Sequence, residues 1–269
     1  MRKLTSLLGW LALATSSSAH ELWIEPEFFQ VDSGQPVVAE LLNGQEFVGV
    51  SLPYATRSIV RLEAATHGEL DEITGRLGDR PAIRISPEDG LLSIGYESKS
   101  QNLRYKDWAK FQAFADHKGF SNARAIHEER DLSFDEFSEG YTRFSKSLIG
   151  VGGAQGEPFV FGFEFEIASL DNPIISKDNV VPMRLLYQSS ALADHQVEVF
   201  ERSPDGKVEI TYLQTDAEGI ISIPTKSGHQ YMLDAVYFRE PSDELLERMD
   251  VDWETLWANL TFARPNGVD

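Results

Sequence analysis

One histidine stands where the chain offers its clearest opportunity for chemistry. His20 directly follows the small-residue segment Ser16-Ser17-Ser18-Ala19. If the chain is cut after Ala19, His20 becomes the first residue and carries both an α-amine and an imidazole. The amine has an unperturbed pKa of about 8 and the imidazole one of about 6.5, so both can lose a proton near neutral pH. Together they would chelate copper, nickel or zinc, since imidazole suits all three metals.

A metal site at His20 would need a third ligand, an imidazole or a carboxylate, which the sequence does not identify. The other histidines are isolated from one another along the chain: His67, His117, His127, His195 and His229. Each is predicted to have a surface or packing role. We expect His67 and His229, which lie beside glycines in predicted turns, to be exposed.

The cut after Ala19 is itself a prediction from the first residues. Arg2 and Lys3 form a basic start, residues 4–15 are an apolar run, and Ser17 and Ala19 are small residues at the −3 and −1 positions. The run is too short for a membrane span, which needs roughly 20 residues. A buried N-terminal helix is the alternative, and the basic start disfavours it. The sequence therefore predicts a signal peptide over 1–19 and a periplasmic location.

Composition excludes several classes of function. The chain carries 24 Lys+Arg against 43 Asp+Glu, a formal net charge of −19. Such an acidic surface repels phosphate backbones, so nucleic acid and anionic lipid are not expected partners. There is no cysteine, which excludes thiolate zinc sites, iron–sulfur clusters and cysteine nucleophiles. No segment after residue 15 is long and apolar enough to span a membrane.

Catalytic motifs are missing, and no enzymatic activity is predicted. There is no Gly-x-Ser-x-Gly elbow. The run His127-Glu128-Glu129-Arg130-Asp131 resembles the helix motif of zinc proteases, but Asp131 stands where the second histidine must be. We interpret this run as a charged helix face.

The elements that must position His20 are mostly strands. From residue 20 to about 100, short β-branched or alternating runs are separated by turn signals such as Asn43-Gly44 and His67-Gly68, a pattern typical of antiparallel β structure. From Phe159 onwards, about seven further short runs predict an immunoglobulin-like β-sandwich.

A helical insertion is predicted between these regions, over about 105–149. Trp108, Phe111 and Phe114 recur at helical spacing, and Gly119 is a plausible stop. Ser133 to Glu136 matches a capping box, and an aromatic stripe behind it predicts an amphipathic helix. Residues 150–156 are glycine-rich and read as a linker. The predicted division is 1–19 signal peptide, 20–156 N-terminal β domain with the insertion, and 157–269 immunoglobulin-like sandwich.

Several segments resemble one family along the length of the chain. They are His20 to Pro26, Gly44 to Gly49, Ser51 to Tyr54, Gly95 to Ser98, Tyr141 to Lys146, Leu186-Tyr187, Val197 to Val199, Thr215 to Gly219 and Trp253 to Phe262. In these segments the chain is similar to the DUF4198 family.

The resemblance implies an exported protein, because members are often labelled as periplasmic components of nickel or cobalt uptake. The chain departs from the family pattern at Ser189 to Leu192 and at His117, where an acidic residue is more usual, so no ligand role is carried over to His117.

These observations lead to one main functional hypothesis. The chain is predicted to be a periplasmic accessory protein that binds nickel, cobalt or copper through His20 for uptake or handling, with a metal transporter or another envelope protein as its partner. One alternative is a noncatalytic envelope interaction module without metal. A third is a copper enzyme with a histidine brace, in which a second histidine would have to fold back to His20.

Overall fold

Strands dominate the fold. A computed structural model describes residues 20–267 of the chain. The strands are β1 Glu21–Pro26, β2 Gln30–Val31, β3 Val37–Gln45, β4 Val48–Leu52, β5 Ile59–Thr66, β6 Glu69–Glu72, β7 Ile83–Ile85, β8 Gly90–Ser98, β9 Gln101–Tyr105, β10 Phe137–Val151, β11 Phe165–Ser169, β12 Val180–Tyr187, β13 Ser190–Ala191, β14 Gln196–Arg202, β15 Val208–Gln214, β16 Ile220–Pro224, β17 Gln230–Arg239 and β18 Trp253–Ala263. The helices are α1 Trp108–His117, α2 Ala123–Glu129 and α3 Asp243–Leu246. The predicted mainly β class is confirmed. The predicted signal peptide lies outside the described residues.

The strands form three sheets. The first contains β1, β3 and β4 in that order, with β7 paired to β3. The second has ten strands, in the order β15-β14-β17-β18-β10-β8-β5-β6, with β2 and β9 also paired to β10. The third contains β11, β12 and β13, with β16 paired to β12. The ten-stranded sheet thus draws strands from both halves of the chain, while the predicted domain division and the immunoglobulin-like topology stay predictions.

The ten-stranded sheet is covered on both faces, because adjacent residues of its strands enter different cores. On β10, Leu148 packs in the core shared with the third sheet, and Ile149 packs in the core shared with the first sheet. On β18, Leu256 joins the core under the third sheet, whereas Trp257 packs against the helices. The molecule therefore has three layers, with the first sheet and the helices on one side of the large sheet.

The predicted insertion is helical only in its first part. In α1, the Asp107 side chain accepts a hydrogen bond from the Ala109 N–H at 2.9 Å and caps the helix. Gly119 follows it with φ 78°, a conformation that glycine adopts without strain. The buried face of α1 includes Phe111 and Phe114, which contact Trp253 and Trp257 of β18.

The helix predicted behind Ser133 is wrong, because residues 137–151 form the long strand β10. The Ser133 hydroxyl does accept from the Asp135 and Glu136 N–H groups, at 3.3 and 3.5 Å, but the turn leads into a strand. Nearly every residue of β10 is buried. A strand covered on both faces shows no alternation of polar and apolar residues, so its aromatic residues can match helical spacing by chance.

β1 is an outer strand of the first sheet, and its unpaired edge is covered by side chains of the large sheet. The carbonyl oxygens of Leu22 and Ile24 accept hydrogen bonds from the hydroxyls of Ser145 (2.6 Å) and Thr261 (2.7 Å). Both hydroxyls are fully buried. Buried carbonyl groups need such donors, so these two side chains join the first sheet to the centre of the second.

Within residues 20–267, no helix is long and apolar enough to cross a membrane.

The contact between Thr261 and Ile24 gives a stability prediction. Thr261→Val keeps the shape of the side chain but leaves the buried Ile24 carbonyl without its donor, so the free energy of unfolding should fall by about 1–3 kcal/mol. Denaturant titration measures this loss. Thr211→Val, on an exposed position of β15, is the control and should change it by less than about 0.5 kcal/mol. Equal effects of the two variants would contradict the assigned role of the Thr261 hydroxyl.

Candidate functional site

His20 lies at the rim of a pocket beside the start of β1. The cavity measures about 360 Å³, and its wall includes His20, Asn43, Tyr96 and Arg143. The backbone of His20 is held in place, because Arg143 Nη2 donates to its carbonyl oxygen at 2.9 Å. No other histidine and no carboxylate lines this pocket. Within the described part of the chain, the pocket therefore does not provide the third ligand that the sequence left open.

The next residue, Glu21, belongs to a buried cluster of charges between β1 and the large sheet. Lys118, directly after α1, donates from Nζ to Glu198 at 2.8 Å, to Asp234 at 3.0 Å and to Glu21 at 3.4 Å. All four side chains are at most 6% exposed. Lys118 also lies over the ring of Trp257, 5.1 Å from its centroid. The three N–H donors of the ammonium group are therefore all used.

His117 extends this cluster to the surface. Its Nε2 lies 3.0 Å from Glu198 Oε1, and its side chain is 52% exposed. The contact with Glu198 raises the pKa of His117, and burial opposes it only in part. Burial raises the pKa of Glu198, but the contacts with His117 and Lys118 outweigh it, so that pKa is lowered. Glu198 is thus the carboxylate with the most complete compensation.

The other two acids are less well compensated. Burial raises the pKa of Glu21 to about 7, with a further increase from Asp234 that Lys118 offsets only in part. Burial also raises the pKa of Asp234. The Oε2 atom of Glu21 has no hydrogen-bond partner. Burial alone would lower the pKa of Lys118, but its three carboxylate partners raise it, so the ammonium stays charged.

The three carboxylates are the only residues in 20–267 whose ligand atoms form a group of three suited to a metal, all within 4.8 Å of one another. The ammonium of Lys118, however, lies among them and contacts each one. A metal ion placed there would meet a charged group of the same sign. The cluster therefore fits a cation, and the chain supplies that cation itself.

The remaining histidines each contact a partner away from His20. His67 Nε2 lies 2.7 Å from the Asp89 carbonyl oxygen, and His195 Nε2 lies 3.1 Å from that of Val236. His229 Nδ1 lies 2.8 Å from Glu201. His67 is exposed as predicted, whereas the His229 side chain is only 17% exposed. The prediction that His229 is exposed is therefore wrong, because Glu201 holds its ring against β14.

His127 corrects the interpretation of its helix as a purely charged face. Its ring is fully buried, and Trp253 Nε1 donates to its Nδ1 at 3.0 Å. Its Nε2 lies 3.0 Å from the Ser133 carbonyl oxygen, so the neutral ring that donates from Nε2 satisfies both contacts. Burial lowers the pKa of His127. The residue is a packed histidine of the helical layer.

Sequence reasoning missed the charge cluster and Arg143. Glu198 and Asp234 each stand between two apolar neighbours on their strands, and both are at most 1% exposed. An acid in such a run indicates a buried partner, since an uncompensated buried charge is costly. That signal was present in the sequence, but it does not identify Lys118, which lies 80 residues from Glu198 and 116 from Asp234.

Comparison with known proteins identifies the family. A family model described as "Domain of unknown function (DUF4198)" matches residues 17–239. The chain therefore belongs to the DUF4198 family, as its sequence segments predict. The match ends before β18, so it does not extend to the similarity in residues 253–262. No curated protein matches the chain.

Solved structures add no functional information. One match is titled "Crystal structure of tetra-tandem repeat in extending region of large adhesion protein", with 11% sequence identity and a TM-score of 0.22. It covers 91% of this chain and 49% of that one, so the chain spans about half the length of that structure. A similarity this low supports no conclusion about fold or function.

The position of Lys118 gives a prediction about stability and cations. Lys118→Met leaves three buried carboxylates without their counterion, so the free energy of unfolding at pH 7.5 should fall by about 3–5 kcal/mol. Millimolar Ca²⁺ should then raise the melting temperature of this variant, but not that of the unaltered protein. Lys110→Met, exposed on the same helix, is the control. If Lys118→Met is no less stable than this control, the proposed role of Lys118 is wrong.

Glu21 gives a prediction about pH. Its pKa is raised from 4.5 to about 7 in the folded protein, so the folded state favours the protonated form. The stability that Glu21 contributes is therefore fully present below pH 4.5 and is lost as the pH rises through 7. Relative to Glu21→Gln, the unaltered protein should lose on the order of 2 kcal/mol between pH 5 and 8.

Denaturant titrations at several pH values measure this difference. Lys118, whose pKa is raised above 10.5, does not titrate in this range, and titration of His117 is largely common to both proteins. Glu27→Gln, exposed after the end of β1, should follow the unaltered protein. Parallel curves for Glu21→Gln and the unaltered protein would rule out titration of Glu21 in this range.

Proposed function

We propose that this DUF4198 protein is an exported accessory protein of the periplasm that binds a divalent transition metal through His20. Cleavage after Ala19 would free the α-amine of His20, and the amine and the ring would together chelate nickel, cobalt or copper. The role would be uptake or handling of the metal, with a transporter or another envelope protein as the partner.

The observation that carries this proposal is the fixed position of His20 at a pocket rim. β1 begins at Glu21, one residue after the predicted cut, and Arg143 holds the His20 carbonyl. A new N-terminus at His20 would therefore start on an anchored strand beside a cavity. A ligand whose backbone is already fixed loses less conformational freedom on binding a metal.

The site would be open rather than closed. Within residues 20–267 the pocket wall provides no second imidazole and no carboxylate, and each of the other histidines has a partner elsewhere. The amine and the ring of His20 would therefore be the main protein ligands, and water or a small molecule would complete the coordination. Structural metal sites are usually closed by four protein ligands, so an open site suits transient binding and transfer better.

The two alternative functions, a copper histidine-brace enzyme and a noncatalytic interaction module, require different structural features. A copper histidine brace would need a second histidine at His20, and the described part of the chain places none in the pocket wall. A noncatalytic interaction module would use an exposed surface such as β4, an outer strand on which Val48 and Val50 are 78% and 69% exposed. Exposed strand edges of this kind can pair with a partner chain.

The proposal is tested by changing only the first residue of the mature chain. Protein that begins at His20 should bind Ni²⁺ or Cu²⁺ at least about tenfold more tightly than the same protein with one alanine before His20, because an amide replaces the chelating amine. Calorimetric titration in buffer free of carboxylate measures both affinities. His20→Ala should bind no better than the extended protein.

Equal metal affinity with and without the extra alanine would refute the proposed amine ligand. Metal analysis of the protein purified from its own periplasm then identifies the ion. A defined envelope partner that stays bound after the metal is stripped would favour the interaction module instead.

A further inference from the structure

Arg143, on β10, carries a buried charge that no carboxylate neutralises. The residue is 5% exposed. Among residues 20–267, ion pairs within 4.0 Å join Lys118, Lys146 and Arg239 to carboxylates, but none involves Arg143. A buried charge without a counterion is costly unless other groups stabilise it. The contacts of Arg143 therefore show how far the protein itself offsets the free-energy cost of burying this charge.

Those contacts compensate the guanidinium only in part. Nη2 donates to the His20 carbonyl at 2.9 Å, and the group lies over the rings of Tyr141 and Trp257, at 4.5 and 5.8 Å from their centroids. Nε is buried and has no acceptor. Arg264, also buried without a carboxylate, instead donates to the carbonyl oxygens of three residues: Pro173, Ser176 and Asp178. Arg143 has one such carbonyl.

One acid on the same strand attracts Arg143 but does not pair with it. The carboxyl group of Glu139 is fully buried and accepts hydrogen bonds from the hydroxyls of Tyr105 and Thr255. Burial raises the pKa of Glu139, and the charge of Arg143 is only a minor opposing effect. Glu139 is therefore held towards its neutral form and supplies little negative charge to the guanidinium.

Arg143 also forms part of the wall of the cavity at His20, where groups of two kinds surround a space of about 360 Å³. Asn43, Ser58 and Tyr96 offer polar groups, and three leucines provide apolar wall: Leu22, Leu52 and Leu103. Pockets for small molecules typically combine an apolar lining with a few placed polar groups, in volumes of about 300–1,000 Å³. A buried cation in such a lining indicates an anionic ligand.

Another cavity shows why exposed arginines do not support the same conclusion. A larger space of about 580 Å³ lies beside Arg76, Arg80 and Arg84. All three are exposed, so water already solvates their charges and no counterion is missing.

We propose that the pocket between His20 and Arg143 binds a small organic carboxylate, whose anionic group pairs with the Arg143 guanidinium. Paired N–H donors of arginine match the two oxygens of a carboxylate. The leucine and tyrosine walls would contact the carbon skeleton, which sulfate and phosphate lack. This inference goes beyond the proposed metal site and does not depend on it. A carboxylate bound here would lie beside His20, where it could complete the coordination of a metal.

The experiment titrates the mature chain, residues 20–269, with benzoate, succinate and citrate in calorimetry without metal and with a chelating resin to remove trace ions. Sulfate is the inorganic comparison. At least one of the three carboxylates should bind with a Kd below about 1 mM, which corresponds to roughly −4 kcal/mol. Sulfate should bind at least about tenfold more weakly, because it makes no use of the apolar wall.

Asn43→Asp is the sharpest variant, because it changes one atom of the pocket wall and places a negative charge in the wall that also contains Arg143. It should weaken binding of the best carboxylate at least about tenfold, because like charges repel, and it should not lower the melting temperature. Loss of binding without loss of thermal stability cannot be attributed to unfolding. Asp71→Asn, on the exposed strand β6, is the control. It exchanges the same two residue types away from the pocket and should leave binding unchanged.

A second variant tests the guanidinium itself. Arg143→Lys keeps the charge but removes the paired donors, so binding should also fall at least about tenfold. Arg84→Lys, exposed on β7, should bind as the unaltered protein does. A near-ultraviolet circular dichroism spectrum confirms that Trp257, which contacts Arg143, keeps its environment.

The inference is overturned if none of the three carboxylates binds with a Kd below about 1 mM, if sulfate binds within about tenfold of the best of them, or if Asn43→Asp or Arg143→Lys binds it unchanged. Because the titration contains no metal, its failure leaves the metal result at His20 unaffected. Conversely, a metal titration that fails in carboxylate-free buffer does not change the outcome here.

Discussion

The first sheet can lie on the large sheet only because donors cover the unpaired edge of β1. A strand edge placed against another layer loses water, and each of its carbonyl groups then needs a donor. β10 supplies donors at Arg143 and Ser145, and β18 supplies one at Thr261. The acceptors His20, Leu22 and Ile24 follow one another at intervals of two residues, as do the two donors on β10, because side chains and carbonyl groups alternate along an extended chain. The match of the two spacings fixes where β1 lies.

Two buried cations, Lys118 and Arg143, hold the start of β1. Among the described residues, carboxylates neutralise the charge of the first but not that of the second. Lys118 pairs with three carboxylates. Arg143 donates to one carbonyl oxygen, lies over two aromatic rings and lines a cavity. Lys118 therefore has a structural role, because every donor of its ammonium is used. Arg143 also has a structural role, since it donates to the His20 carbonyl, but its guanidinium has no carboxylate partner among residues 20–267. The number of unused donors, rather than the number of acids nearby, distinguishes a complete charge cluster from a site at which a ligand can supply a missing counterion.

Much of the strand pattern could be predicted from the sequence, because strands such as β3 and β5 are short runs rich in Val, Ile, Leu and Ala, and β5 is followed by the turn signal His67-Gly68. β10 could not, since the third sheet covers one of its faces and the first sheet and the helices cover the other. His20 was singled out by its position after a small-residue segment, which is a local signal. The charge cluster and the Arg143 pocket depend on residues that are far apart in the chain and meet only through the pairing of β10, β17 and β18. No local pattern contains that information.

The position of β18 determines when the large sheet can close. Among residues 20–267 this strand comes last in sequence, yet it lies in the middle of the large sheet, parallel to β10 and antiparallel to β17. Before β18 takes its place, β10 and β17 have no strand between them, and the Ile24 carbonyl on β1 lacks its donor, the Thr261 hydroxyl. Contacts of such long sequence separation form late and slowly. The two parts of the large sheet therefore join only when residues 253–263 pair with both β10 and β17.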